Sequence, residues 1–120
     1  MLCLVAGSAT VPLLAGMITL AWTHSVERIA WEEDWRRTPL GIELVEARVR
    51  GSGAGMEPPP EARLVNGAWA WRPAVPPRGE IVMRRSGATP DWRVCVSGVC
   101  RPMGAYVPAD ADPVVLKGCD

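Results

Sequence analysis

The chain's only histidine, His24, stands in Trp22-Thr-His-Ser-Val-Glu27. Trp31-Glu-Glu-Asp-Trp35 follows it, and after a strand-like run comes Gly51-Ser-Gly-Ala-Gly-Met56. An imidazole beside a carboxylate makes an acid–base pair that titrates near neutral pH, or with further carboxylates a metal site. Small residues in series let backbone N–H groups close on an anion. The candidate ligand-binding residues are therefore His24, Ser25, Glu27 and Glu33, with Gly53, Ala54 and Gly55. In that arrangement the N–H groups of Gly53 to Gly55 take an anion, a small carboxylate for example, and His24 orients it.

Other chemistries are limited by the same residues. On a strand His24 and Ser25 point to opposite faces, so they do not form a nucleophile pair with each other. No second His is present to activate Ser25. One His with scattered carboxylates is too little for a metal site, so no metal, cofactor or catalytic residue is assigned. The glycine run lacks the Gly-Lys-Ser/Thr ending of a P-loop and the G-x-G-x-x-G order of a dinucleotide fold. It also continues into Met56-Glu-Pro-Pro-Pro60, which is no helix start. Structural roles account for these residues as well: His24 as a hydrogen-bonded tie between strands, the glycines as a tight reversal at positive φ. Two alternatives to a binding domain stand. One is a small hydrolase or lyase with His24 and Glu27 or Glu33 as acid and base. The other is a purely structural interaction module in which every motif serves turns and strand pairing.

The elements that must position these residues read as short strands. Twelve Gly and twelve Pro in 120 residues disfavour long helices and favour turns. The expectation is one all-β domain over 1–120, an antiparallel β-sandwich or partly open barrel of short strands with little helix. Strand character recurs at Leu2–Val5, Met17–His24, Ile29–Arg36, Ile42–Arg50, Ala62–Val65, Ala68–Arg72, Glu80–Arg84, Trp92–Val96, Val99–Met103 and Val114–Lys117. Apolar residues change phase between Leu44 and Val45, which predicts a β-bulge there. Asn66-Gly67 is a hairpin signal. Trp31, Glu33 and Trp35 share one face of an extended strand, and Trp69 and Trp71 share another, which should be buried. Core and inter-sheet packing explains the six Trp, and a tryptophan-lined pocket is the rival reading. Arg48 and Arg50 are placed to meet Glu33 or Glu43 across strands, and Arg84-Arg85 reads as a solvated edge. Thirteen basic and thirteen acidic residues leave no net charge, so no nucleic-acid partner is expected.

Four cysteines are present. In Cys95-Val-Ser-Gly-Val-Cys100, Ser97-Gly98 suits a two-residue turn that sets Cys95 across from Cys100, within disulfide range. Cys3 and Cys119 stand near the two ends, which lie close together in many small domains, and a bridge between them is a weaker expectation. An even cysteine count leans towards an oxidising compartment. No charged residue precedes Glu27, but Gly7-Ser8, Pro12 and Gly16 interrupt the apolar start, and a strand, a Pro-containing turn and a second strand are favoured there. The rival reading makes residues 1–16 the remnant of a signal or membrane segment, through which the domain would associate with a membrane.

Together, Trp22-Thr-His-Ser-Val-Glu27, Trp31-Glu-Glu-Asp-Trp35, Glu46-Ala-Arg48, Gly51-Ser-Gly-Ala-Gly-Met-Glu-Pro-Pro59 and Cys95-Val-Ser-Gly-Val-Cys100 resemble a bacterial family of small domains of unknown function. Members of that family are often encoded beside TRAP transporters of the TAXI type, which take up organic acids or amino acids with an extracytoplasmic binding protein. The resemblance runs from about Met17 to Met103. It implies a non-enzymatic accessory domain in a transport context, periplasmic or membrane-associated and facing the periplasm. Its partner would be a transporter subunit, the binding protein or a small carboxylate.

Overall fold

The computed structural model describes residues 1–23, 29–51, 58–86 and 90–119. Among these, alternating apolar and polar residues form eleven strands: β1 (Leu2–Ala6), β2 (Ala9–Pro12), β3 (Met17–Thr23), β4 (Ala30–Thr38), β5 (Gly41–Arg50), β6 (Arg63–Val65), β7 (Ala68–Trp71), β8 (Glu80–Met83), β9 (Arg93–Val96), β10 (Val99–Pro102) and β11 (Val114–Gly118). A single 3-10 turn at Met103–Ala105 is the one helical element of the described residues. The strands make two antiparallel sheets, one of four strands in the order β2-β1-β11-β8 and one of seven in the order β10-β9-β3-β4-β5-β7-β6. This is the all-β, sandwich-like architecture expected from the turn-rich sequence.

The hairpins follow from their turn residues. Asn66 and Gly67 have φ of 50° and 80°, and Ser97 and Gly98 have 51° and 82°. Positive φ at both central residues matches the twist of the flanking strands, so each turn sets a tight hairpin register. Cys95 is thereby opposite Cys100 and the two are bonded. The bulge also lies where the phase changes: Asp34 pairs with Glu46 and Trp35 with Leu44, which leaves Val45 without an opposite residue. The extra residue turns Ile42 on one side, and Ala47 and Val49 on the other, towards the same buried face.

The core lies between the sheets. Leu2, Leu4, Met83, Val114 and Leu116 from the smaller sheet meet Ile18, Leu20, Trp35, Ile42 and Val94 from the larger. Met103 and Val107 close one side. At the start of the chain the reversal falls at Gly7, at positive φ, and Pro12 ends the second strand, whereas a Pro-containing turn was expected. The chain ends meet because β1 pairs with β11, and Cys3 is bonded to Cys119. Gly41, at φ 126°, is required where β5 begins: a Cβ there would strike the Arg78 carbonyl, which accepts the Ile42 N–H at 2.7 Å.

Candidate functional site

Strand register gathers the flanks of the two sequence motifs. Thr23 pairs with Ala30, and Ala30 with Arg50, so β3, β4 and β5 share one end. The chain leaves β3 at Thr23, re-enters beside β4 at Ile29, and leaves β5 at Gly51. Gly51 adopts φ 120°, and a Cβ on it would lie 3.7 Å from the Ile29 side chain. His24, Ser25, Glu27, Gly53, Ala54 and Gly55 fall outside the described residues. Their described neighbours adjoin one another at this single end of the larger sheet.

Glu33 is on the inward face of β4, with Leu20 and Ala47 opposite it. Trp35 Nε1 donates to its Oε1 at 3.3 Å. Burial pushes its carboxyl above the ordinary carboxylate range, against the opposing pull of that hydrogen bond and the Arg78 charge. The sign follows. A carboxyl raised in the folded state binds its proton more tightly there, so folding loses stability as pH rises through the unfolded and then the folded value. Glu33→Gln should raise the melting temperature at pH 7 and leave it nearly unchanged at pH 4. Thermal melts of both proteins at the two pH values check this.

Trp31, on the same face as Glu33, joins a row of rings. Trp22 stacks on it at 6.0 Å between centroids, Trp92 lies 5.0 Å beyond Trp22, and Trp71 meets Trp31 edge-on at 5.9 Å. Such pairs contribute about 0.5–1.5 kcal/mol beyond their buried area. The row is half-buried, as are Trp69 and Trp71 on β7, while Trp35 alone of the six lies wholly within the core. Trp31 Nε1 is buried without an acceptor among the described residues. This donor stands one residue from the shared strand end.

The outward face of β3, β4 and β5 is polar and internally matched. Arg48 grips Asp34 through two hydrogen bonds of 2.8 Å and Glu46 through one of 2.8 Å, and Glu32 lies 3.5 Å away. Thr19 Oγ1 donates to Asp34 at 2.6 Å. Burial alone would raise the Asp34 carboxyl, but the Arg48 and Thr19 hydrogen bonds and the Arg48 charge hold it below its ordinary value. Arg48 is held in its charged form above the ordinary guanidinium value, chiefly by Asp34. The expected partners were Glu33 and Glu43. Instead Arg48 and Arg50 reach Glu32, and Glu43 pairs with Arg36. The Val45 bulge is the reason: it puts Arg48 and Arg50 on the face of Glu32 and Asp34, while Glu33 points inward.

Arg85 and Asp91 form a further ion pair that no local sequence pattern marks. Arg85 is not a solvated edge: its side chain is 9% exposed. It holds Asp91 through bonds of 3.0 and 2.9 Å and donates to the Pro108 and Ala111 carbonyls at 2.7 and 2.9 Å. Asp91 also accepts the N–H groups of Gly104 and Trp92, and these partners outweigh burial to hold its carboxyl below the ordinary range. The pair thus anchors Trp92 against Trp22. Arg85→Ala should cost roughly 2–3 kcal/mol, less than a fully buried pair because Asp91 keeps solvent contact. Arg85→Lys should restore only part, since an ammonium has no planar fork. Urea unfolding of the three proteins measures both.

The chain matches the model of the domain of unknown function DUF1850 over residues 18–103, well over half its length. The chain belongs to this family. In this DUF1850 protein the matched stretch starts in β3 and ends at Met103, so it holds nearly all of the seven-stranded sheet and β8. The other three strands of the smaller sheet, β1, β2 and β11, lie outside it. No curated protein and no solved structure matches. Both disulfides fit an oxidising, extracytoplasmic environment, and among the described residues no helix is long and apolar enough to cross a membrane.

Proposed function

We propose that this DUF1850 domain is a non-enzymatic, periplasm-facing accessory domain of TRAP-type uptake. It binds a transporter component or a small carboxylate at the common end of β3, β4 and β5. The observation that carries this reading is the strand register: Thr23, Ile29, Arg50 and Gly51 adjoin where the His24 motif and the glycine run leave the sheet. The half-exposed Arg50 guanidinium at that end favours an anionic ligand group. The transport context comes from the family resemblance. Calorimetric titration of the oxidised domain with the extracytoplasmic binding protein of a TAXI-type system tests the protein-partner form. Saturable heat that is lost in Arg50→Glu supports it. No heat, with or without the transported acid, rejects it.

Acid–base catalysis by His24 with Glu27 or Glu33 is the second reading, and the raised Glu33 carboxyl favours it. It requires a hydrolytic or lyase activity whose pH profile carries a group near pH 6–7. A profile flat across that range removes His24 from the chemistry.

A further inference from the structure

The two disulfides differ in exposure. Cys3 is buried in β1 and Cys119 is half-buried, and their bond joins residues 116 apart in sequence. Cys95 and Cys100 are five apart, on the hairpin that ends at edge strand β10. Cys100 is exposed and Cys95 half-buried. Their hairpin is also held by the Ser97-Gly98 turn and the β9–β10 register, and the bond closes only a short loop of the unfolded chain. Without it the hairpin keeps its β9–β10 pairing, and without Cys3–Cys119 the chain ends are joined by the β1–β11 register.

A small cavity adjoins this exposed bond. On the outward face Ala21 and Ala30 leave a depression of about 220 Å³ between longer side chains, lined by Cys95, Cys100, Arg93 and Arg50 and also by Glu32 and Asp91, whose charges Arg48, Arg50 and Arg85 offset. Arg93 stands two residues before Cys95 on the same face, with its guanidinium 3.2 Å from the Cys100 carbonyl oxygen. Cationic neighbours favour a thiolate over a thiol, both on an incoming reagent and on the departing sulfur. The space suits a small molecule.

From these features we propose that Cys95–Cys100 is a thiol–disulfide exchange site for a low-molecular-weight anionic thiol. The incoming thiolate attacks Sγ of Cys100, the exposed residue of the pair. A sulfur–sulfur bond forms between them as the Cys95–Cys100 bond breaks, and Cys95 leaves as thiolate. A second thiolate then attacks the reagent's sulfur in the mixed disulfide. The reagent leaves as its own disulfide, oxidised by two electrons, and Cys100 is left as thiolate beside reduced Cys95. The more exposed of two disulfides is the more labile, and here that is Cys95–Cys100, since Cys3 is buried and Cys100 is exposed.

The test treats the folded, full-length oxidised protein with reduced glutathione and maps thiols and mixed disulfides by mass spectrometry over time. Cys95–Cys100 should open about tenfold faster or more than Cys3–Cys119, with glutathione on Cys100 and the circular dichroism unchanged. Arg93→Gln should slow the reaction with glutathione several-fold and leave that with neutral 2-mercaptoethanol nearly unchanged. The proposal is overturned if both bonds open together with loss of structure, if Cys3–Cys119 opens first, or if glutathione lodges on Cys95. An equal effect of Arg93→Gln on both reagents removes the anionic selectivity.

Discussion

A chain lacking residues 1–16 will not fold cooperatively, although the DUF1850 stretch from residue 18 to 103 is left whole. β1 pairs with β11 over four positions and with β2 over four more. Leu2 and Leu4 are wholly buried against Ile18, Leu20, Met83, Val114 and Leu116. Each buried leucine contributes about 1.5–3 kcal/mol. Losing both, with the paired backbone of two strands and the Cys3 bond, removes a large part of the 5–15 kcal/mol or so that holds a typical domain together. It also strips the cover from Ile18 and Leu20 and leaves β11 paired only with β8. The shortened protein should show no sigmoidal thermal transition and should bind a dye for exposed apolar surface. A cooperative melt within a few degrees of the intact protein would mean that β1 and β2 are dispensable.

The second large effect concerns the ends of the chain. Cys3→Ser with Cys119→Ser should lower stability by about 5 kcal/mol in the chain-entropy model, because the bond spans a separation of 116 residues. Cys95→Ser with Cys100→Ser should cost about 2 kcal/mol or less, since that loop is short and its hairpin is held by other means. Guanidinium unfolding of the oxidised protein and both double variants measures the difference. Equal losses would show that native packing around each bond, and not closure of the unfolded chain, sets its worth.

What was legible in the sequence was local. Asn66-Gly67 and Ser97-Gly98 impose positive φ on their own residues, so their hairpins and the Cys95–Cys100 pairing could be read directly. The phase change at Leu44-Val45 marked the bulge because the alternation of one strand records which face is buried. Ala9–Pro12 gives no strand signal in the sequence: it is short, at a sheet edge, and mostly exposed, so it carries no alternating apolar pattern. The pairings β1–β11, β3–β9 and β5–β7 join distant parts of the chain, and no local pattern encodes them. Arg85 fell to the same problem. Its partners Asp91, Pro108 and Ala111 converge only once β8, β9 and β11 are in place.

The candidate site reads from the sequence as a set of residue types, most of which lie outside the described residues. Glu33 could be assigned to one face with Trp31 and Trp35, which is where it lies. Arg48 could not be given its partners, because the bulge decides which carboxylates share its face. The nearness of the two motif flanks depends on the β3–β4–β5 register, which antiparallel neighbours of this length make natural but which no single residue states. The row Trp92, Trp22, Trp31 and Trp71 draws on four strands or their approaches and emerges only from the assembled sheet.

Ligand binding at the common end of β3, β4 and β5 is the core of the proposed function. Thermal melts of the oxidised domain and of His24→Ala, against amino acids, dicarboxylates, phosphate and divalent metals, test it most directly. A ligand that binds only the folded state adds about 2.7 kcal/mol at a hundredfold excess over its dissociation constant. A carboxylate should raise the melting temperature of the parent protein. The rise should disappear in His24→Ala, whose own melting temperature without ligand should stay close to the parent's. A His24→Ala protein that is strongly destabilised without ligand, with no shift in the parent across the panel, would contradict it and make His24 a structural tie between strands.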